Sequence, residues 1–206
     1  MTEKPIGVIL AGGLATRMGG GDKCLIEIAG RSLLARVIDR LAPQCDGLIL
    51  NANGDPARFS AYGLPVVADG VTGYAGPLAG VLAGMEAAAA QGADAIVTAA
   101  GDTPFFPADL VARLREAAAR DGTPLACAAA PDDAGKLWDH PTFGLWPTAL
   151  AGDLRAALDG GLRKILHWTD GHGCARAVFD GGPPDPFFNV NTPEDRAEAA
   201  RIAELA

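Results

Sequence analysis

Lys23 closes a segment, residues 12–23, that holds five glycines and two cations, Arg17 and Lys23. Such a composition suits a polyanion. Glycines let backbone N–H groups come close to phosphate oxygens, and Arg17 and Lys23 would add formal charge to those dipoles. The P-loop pattern is absent, because Asp22 precedes Lys23 and Cys24 follows it, and no G-x-G-x-x-G occurs in the segment. On composition alone, a Gly-rich surface turn with two solvated cations is the plain alternative. Asp102 ends a very apolar run, residues 95–100. A carboxylate there suits Mg2+, which takes one or two carboxylates and completes its shell with phosphates and water. It equally suits a turn before Pro104. No Ser-His-Asp or Cys-His arrangement and no zinc-type spacing of Cys and His appears.

The elements that must carry these residues read as alternating strands and helices, the pattern of a mostly parallel sheet covered on both faces. Strands are expected near residues 6–11, 48–51, 65–68, 95–100, 125–129, 142–145 and 175–179. Helices fit over 33–41 with Ser32 as N-cap, 78–90 with Pro77 in the first turn, 107–120, 148–158, 162–168 and 193–205. The last is the best signalled, with Thr192 as N-cap, Pro193 at the first position and Asp195 three after the cap. The Gly-rich loop then follows the first strand, and Asp102 follows the fourth. Both lie at the carboxyl edge where open α/β sheets bind ligands.

The chain has 206 residues, 49% hydrophobic and 20% charged. A chain of that size can bury roughly 70% of its unfolded surface in one core. The expectation is a single domain over residues 1–206, with intrinsic disorder excluded as the default. A formal charge of −8 argues against nucleic acid or an anionic membrane as the main partner. The charge is unevenly spread: residues 1–40 carry a net +2, and the rest of the chain −10. Four scattered cysteines and no signal peptide or apolar span point to the cytoplasm.

The string Leu10-Ala11-Gly12-Gly13, then Arg17-Met18-Gly19-Gly20, then Asp22-Lys23, resembles the signature of nucleotidyltransferases that activate a phosphorylated acceptor with an NTP. It is most similar to that of the molybdenum cofactor guanylyltransferases. Further segments match the same family in order: Asn51-Ala52-Asn53, Asp69, Gly76-Pro77-Leu78-Ala79-Gly80, Gly101-Asp102-Thr103-Pro104-Phe105, His140-Pro141-Thr142 and Asn189-Val190-Asn191-Thr192-Pro193-Glu194. The resemblance implies a three-layer α/β/α Rossmann-like nucleotidyltransferase fold with a mostly parallel central sheet. It also implies GMP transfer from Mg-GTP to the terminal phosphate of Mo-molybdopterin, with molybdoenzymes or their chaperones as recipients of the product.

By the same resemblance, Leu10, Ala11, Gly12, Gly13, Arg17 and Lys23 hold the base and the triphosphate, and Asp102 takes Mg2+. Arg17, Lys23 and Asp102 form the expected catalytic set. Asn51 and Asp69 read the nucleoside; a carboxylate such as Asp69 can accept from both N1–H and the 2-amino group of guanine, a pattern cytosine lacks. Gly76 and Gly80 would receive the acceptor's anion at a helix N-terminus, with close helix packing as the alternative. Asn189 and Asn191, on one face if locally extended, would serve the metal or the acceptor phosphate. Satisfying backbone groups before the Thr192 cap is their alternative. His140 carries no assigned chemistry.

The chain departs from the family at Gly54, where a basic residue often stands, at Gly101, often cysteine, and at Ser32, often proline. The competing activities are a cytidylyltransferase acting on the same cofactor, whose members usually read LAAG, and a sugar-phosphate nucleotidyltransferase. A nucleotide-binding cofactor chaperone is the non-enzymatic competitor.

Overall fold

The structure, a computed structural model, describes residues 4–12, 21–71, 76–132 and 134–205. Strand β1 (Ile6–Leu10) has four of its five positions buried, as a strand covered on both faces must. Successive side chains enter different cores. Ile9 packs with Leu34, Val37 and Leu41 of helix α1 (Leu33–Leu41), whereas Val8 packs with Leu78, Leu82 and Met85 of helix α2 (Pro77–Ala89).

Between β1 and α1 lies a short hairpin, β2 (Glu27–Ile28) with β3 (Arg31–Ser32), which no sequence pattern announced. Ser32 caps α1 by accepting from Ala35 N at 3.1 Å, as its residue type predicts. Beyond α1 come β4 (Gly47–Asn51), a 3-10 helix (Pro56–Tyr62) and the short β5 (Val66–Val67). After α2 follow β6 (Ala95–Ala100), α3 (Leu110–Asp121), β7 (Leu125–Pro131), β8 (Leu137–Pro147), α4 (Ala151–Asp159), α5 (Ile165–His172), β9 (Cys174–Val178) and α6 (Pro193–Leu205).

The seven-stranded sheet has the order β5-β4-β1-β6-β8-β7-β9. All pairings are parallel except those of β8, which runs antiparallel to both β6 and β7. With helices on both faces, this is the three-layer α/β fold expected.

Four boundaries differ from the expectation, one of them that of α4, which begins at Ala151 after a 3-10 turn at Thr148–Leu150. Helix α3 begins at Leu110 and not at Pro107, because residues 107–110 close a turn in which Leu110 N donates to Pro107 O at 3.2 Å. Strand β8 runs to Pro147 from Leu137, well before residue 142. Its first half has no buried position, with Leu137 and Trp138 exposed and residues 139–142 half-buried, so no alternation marks it as a strand. Helix α5 sits later than expected, at Ile165–His172.

Helix α6 forms a small third cluster: Ala199 and Ile202 pack with Ile28, Leu33, Phe105 and Val190. Its start is a capping box, in which Asp195 N donates to Thr192 Oγ1 at 3.1 Å and Thr192 N to Asp195 Oδ2 at 2.9 Å. That docking brings the segment before α6 back over the end of β6. Among the described residues, no helix is long and apolar enough to cross a membrane.

Candidate active site

Three strands end in one row. Leu10 is level with Asn51 of β4 on one side and with Ala100 of β6 on the other. From β1 the chain crosses first to β4 and β5 and later to β6 on the opposite side, so β1 borders the switch point where such sheets open a crevice. Backbone bonds carry the row one residue further: Ala11 N donates to Asn51 O, and Gly101 N to Leu10 O, both at 2.9 Å. Leu10, Ala11, Lys23, Cys24, Gly101 and Asp102 line a small crevice there. A broader recess around Pro56, Phe59 and Leu64 lies off the strand ends, and its one acid, Asp55, caps Ala57 N at 2.9 Å.

Lys23 and Asp102 meet across the crevice. Lys23 Nζ donates to Asp102 Oδ2 at 2.6 Å and also to Asn191 Oδ1. The pair is largely withdrawn from water, its side chains 12% and 25% exposed. Thr103 Oγ1 donates its one proton to Asn189 Oδ1 and lies 3.3 Å from Asp102 Oδ1. Between the two asparagines, Val190 N donates to Asp102 O at 3.0 Å while the Val190 side chain is fully buried in the α6 cluster. The segment is irregular, yet its alternation puts both amides on the site side. The amides bond to site side chains and leave the cap to Thr192.

On the other side of β1, Asn51 Nδ2 donates to Asp69 Oδ1 at 2.9 Å and Asn53 Nδ2 to Asp69 Oδ2 at 2.8 Å. Asn53 Oδ1 in turn accepts from Asp69 N at 2.9 Å. Among the described residues no further donor reaches either carboxylate oxygen, so the group is held in one orientation with a lone pair on each oxygen for a further donor.

Gly80 is buried in α2. A Cβ there would overlap the Asn51 amide and come within 2.9 Å of Leu10 Cδ2, so the bare α carbon is what lets α2 approach. Packing against protein, the alternative to an acceptor contact, describes its surroundings. Gly76, at φ +68°, lies at the N-terminus of α2 and is half-buried. Gly12 is exposed at the rim, and Gly13 and Arg17 lie outside the described residues. A Cβ at Gly101 would stand 3.2 Å from Leu10 O and from Cys24 Cβ, a tight fit beside the bulk already there.

Burial pushes the Cys24 thiol up to about 12, and Asp22 beside it acts the same way. The thiol therefore stays neutral and is no nucleophile. His140 stacks on Phe187 with centroids 4.4 Å apart. Sequence reasoning missed Asn53, Thr103 and an ion pair between Asp22 and Arg58. Asn53 and Thr103 sit within two residues of Asn51 and Asp102, and that proximity was the available signal. Arg58 had none.

Among the described residues, no group of three or more His, Cys, Asp or Glu could cage a metal unaided. The donor set still fits Mg2+. Asp102 offers a partly exposed carboxylate with the amide oxygens of Asn189 and Asn191 nearby, all hard oxygen ligands.

The MobA-like NTP transferase domain model matches residues 7–175. A molybdenum cofactor guanylyltransferase of Rhodopseudomonas palustris (strain BisB5) is 58% identical over 95% of this chain and 92% of its own. Another protein of that name, from Bradyrhizobium sp. (strain ORS 278), is 54% identical over 97% of this chain and 93% of its own. Among solved structures, molybdopterin-guanine dinucleotide biosynthesis protein A of Archaeoglobus fulgidus superposes with a TM-score of 0.73 at 22% identity, over 98% and 100% of the two chains. A CMP:2-keto-3-deoxy-manno-octonic acid synthetase complexed with CTP reaches 0.72 at 14% identity, over 98% and 99%, which is a likeness of fold alone.

Proposed function

The chain belongs to the MobA-like NTP transferase family, and on that premise we propose that it transfers GMP from Mg-GTP to the terminal phosphate of Mo-molybdopterin. It is a nucleotidyltransferase, as its relatives of 50% identity and more are named. One observation carries the reading of the site: a carboxylate fixed to accept two donors, Asp69, stands at the same sheet edge as the Lys23–Asp102 pair. The first suits guanine and the second suits a triphosphate with its cation.

An oxygen of the acceptor's phosphate attacks the α-phosphorus of GTP. A new P–O bond forms, the bond from the α-phosphorus to the bridging oxygen breaks, and pyrophosphate leaves with that electron pair. The nucleophile is already anionic and needs no protein base. What remains is alignment and charge neutralisation. Asn51 and Asn53 orient Asp69 toward the N1–H and 2-amino edge of the base. Leu10, Ala11 and Gly12 border the nucleotide, with Gly13 and Arg17 expected to continue that wall. Lys23 exchanges part of its contact with Asp102 for the triphosphate.

Asp102, with Asn189 and Asn191 at hand, would hold Mg2+, which supplies positive charge to the phosphate oxygens. Gly76 at the start of α2 and the two asparagines are the proposed acceptor contacts, while the packing of Gly80 supports a role in seating Asn51. Residues 1–206 are read as one such domain. The cytoplasm is the compartment proposed, from the scattered spacing of the four cysteines. Molybdoenzymes or their chaperones would take the product.

The test is pyrophosphate release with molybdenum-loaded molybdopterin and each of the four NTPs. Release with GTP alone is expected. Release with CTP but not GTP would make the chain a cytidylyltransferase.

A further inference from the structure

Arg58, on the 3-10 helix after β4, has every guanidinium nitrogen engaged by protein. Nε donates to Asp22 Oδ2 at 2.5 Å and Nη2 to Asp22 Oδ1 at 3.2 Å. Nη2 also donates to Asn53 O, and Nη1 to Asp55 O. The fork-to-carboxylate geometry is one that Arg forms and Lys cannot. Asp22 is the residue before Lys23, and its side chain is only 13% exposed. A carboxylate there, left uncompensated, would face the charge of an incoming triphosphate from beside the lysine that must attract it.

The place of Arg58 also accounts for Gly54. That residue has φ +84°, and a Cβ on it would lie 3.3 Å from Arg58 Nη1. The guanidinium occupies the space toward which a side chain at residue 54 would point. A cation is thus present beside the nucleoside-reading segment although position 54 carries none.

We propose that Arg58 is a positioning residue of the nucleotide site: it cancels and holds the Asp22 carboxylate next to Lys23, and it ties that segment to the backbone of Asn53, which orients Asp69. Four of its five N–H donors are taken by protein, and the proposed role runs through those contacts, not through a phosphate. The proposal rests on the reading of this crevice as a nucleoside triphosphate site.

Titration calorimetry with Mg-GTP, without acceptor, tests it on the full chain. Arg58→Ala is expected to weaken GTP binding about tenfold and guanosine binding less, because the exposed Asp22 charge acts on the phosphates. Adding Asp22→Asn to Arg58→Ala removes the repulsion and should recover most of the lost affinity. Arg58→Lys, which can reach Asp22 but cannot span both carbonyls, should fall between. Circular dichroism melts keep each measurement below unfolding.

Unchanged GTP affinity in Arg58→Ala would overturn the proposal. So would a double variant no tighter than Arg58→Ala, the result a purely structural contact predicts. Wild-type chain that binds GTP but releases no pyrophosphate with molybdenum-loaded molybdopterin would overturn the activity and leave this role standing. Wild-type chain that binds no GTP would overturn both.

Discussion

Asp102 and Lys23 neutralise each other across the crevice, and on the proposed reading each exchanges its partner for part of a Mg-triphosphate. That economy makes both expensive to lose. Asp102→Ala should abolish measurable turnover, a loss of roughly a hundredfold or more by the usual cost of removing one charge-stabilising group. Circular dichroism should stay native, since the side chain lies at a loop edge and Val190 is held by the Asp102 backbone. Near-normal pyrophosphate release at saturating Mg2+ would take the residue out of the mechanism. Asp69→Asn tests recognition. An amide in that place would present a donor to Asn51 or Asn53, and would keep only one acceptor for the guanine edge. The ratio of kcat/KM for GTP over CTP should fall by roughly tenfold or more, the worth of one hydrogen bond to a charged group. An unchanged ratio would leave Asp69 with no part in base choice.

Helix α2 shows how an element, and not a motif, sets the site. Gly80→Ala gains about 1 kcal/mol of helix propensity. The new methyl must displace the Asn51 amide, and overpacking a filled site costs typically 1–3 kcal/mol, to which the lost Asn51–Asp69 bond adds about 1. The balance is a net loss of about 1–3 kcal/mol, read as a lower Tm, together with a raised KM for GTP as Asp69 loses its support. A Tm at or above wild type with unchanged KM would show that α2 can shift without disturbing Asn51. This coupling was not legible in the sequence, where Gly80 offered an anion site and close packing on equal terms. The strands that carry the site were legible, because β1 and β6 are apolar runs closed by Gly-rich or acidic turns. So was the start of α6, whose cap, proline and acid are all local signals. The β2–β3 hairpin, the first half of β8 and the Asp22–Arg58 pair were not. The hairpin strands have two residues each, too few to show a period; β8 opens on an exposed Leu137 and Trp138 with no buried alternation; and the ion pair joins positions 36 apart.

At the scale of the whole molecule, a chain of net charge −8 is read as binding two anionic substrates, which its +2 N-terminal segment and a cation on Asp102 make feasible. The same acidity shapes stability against pH. The surface carboxylates Asp121, Asp132, Asp153 and Glu198 are each held below their ordinary range by a hydrogen-bond donor: Arg120, Trp138, Trp168 and Arg201 respectively. Their contribution is present at neutral pH and is lost as acid protonates them, below about pH 4. His140 acts in a higher window. Burial lowers its folded pKa below 6.5, against a smaller opposing pull from Asp185 and Asp139. The unfolded chain therefore binds its proton first, so stability is full above about pH 6.5 and declines as pH falls from there through the folded value. The ring stacks on Phe187, which also meets Phe143 at 5.0 Å and Phe179 at 5.5 Å, so protonation loads the aromatic cluster that fastens the C-terminal segment to β8. Wild-type Tm should accordingly rise from pH 5 to pH 7. His140→Phe keeps a ring in the stack and removes the titration, so it should flatten that rise and leave the loss below pH 4 in place. If the two proteins show the same profile between pH 5 and 7, the slope there belongs to other groups, and burial of His140 costs the folded state nothing when the ring is charged.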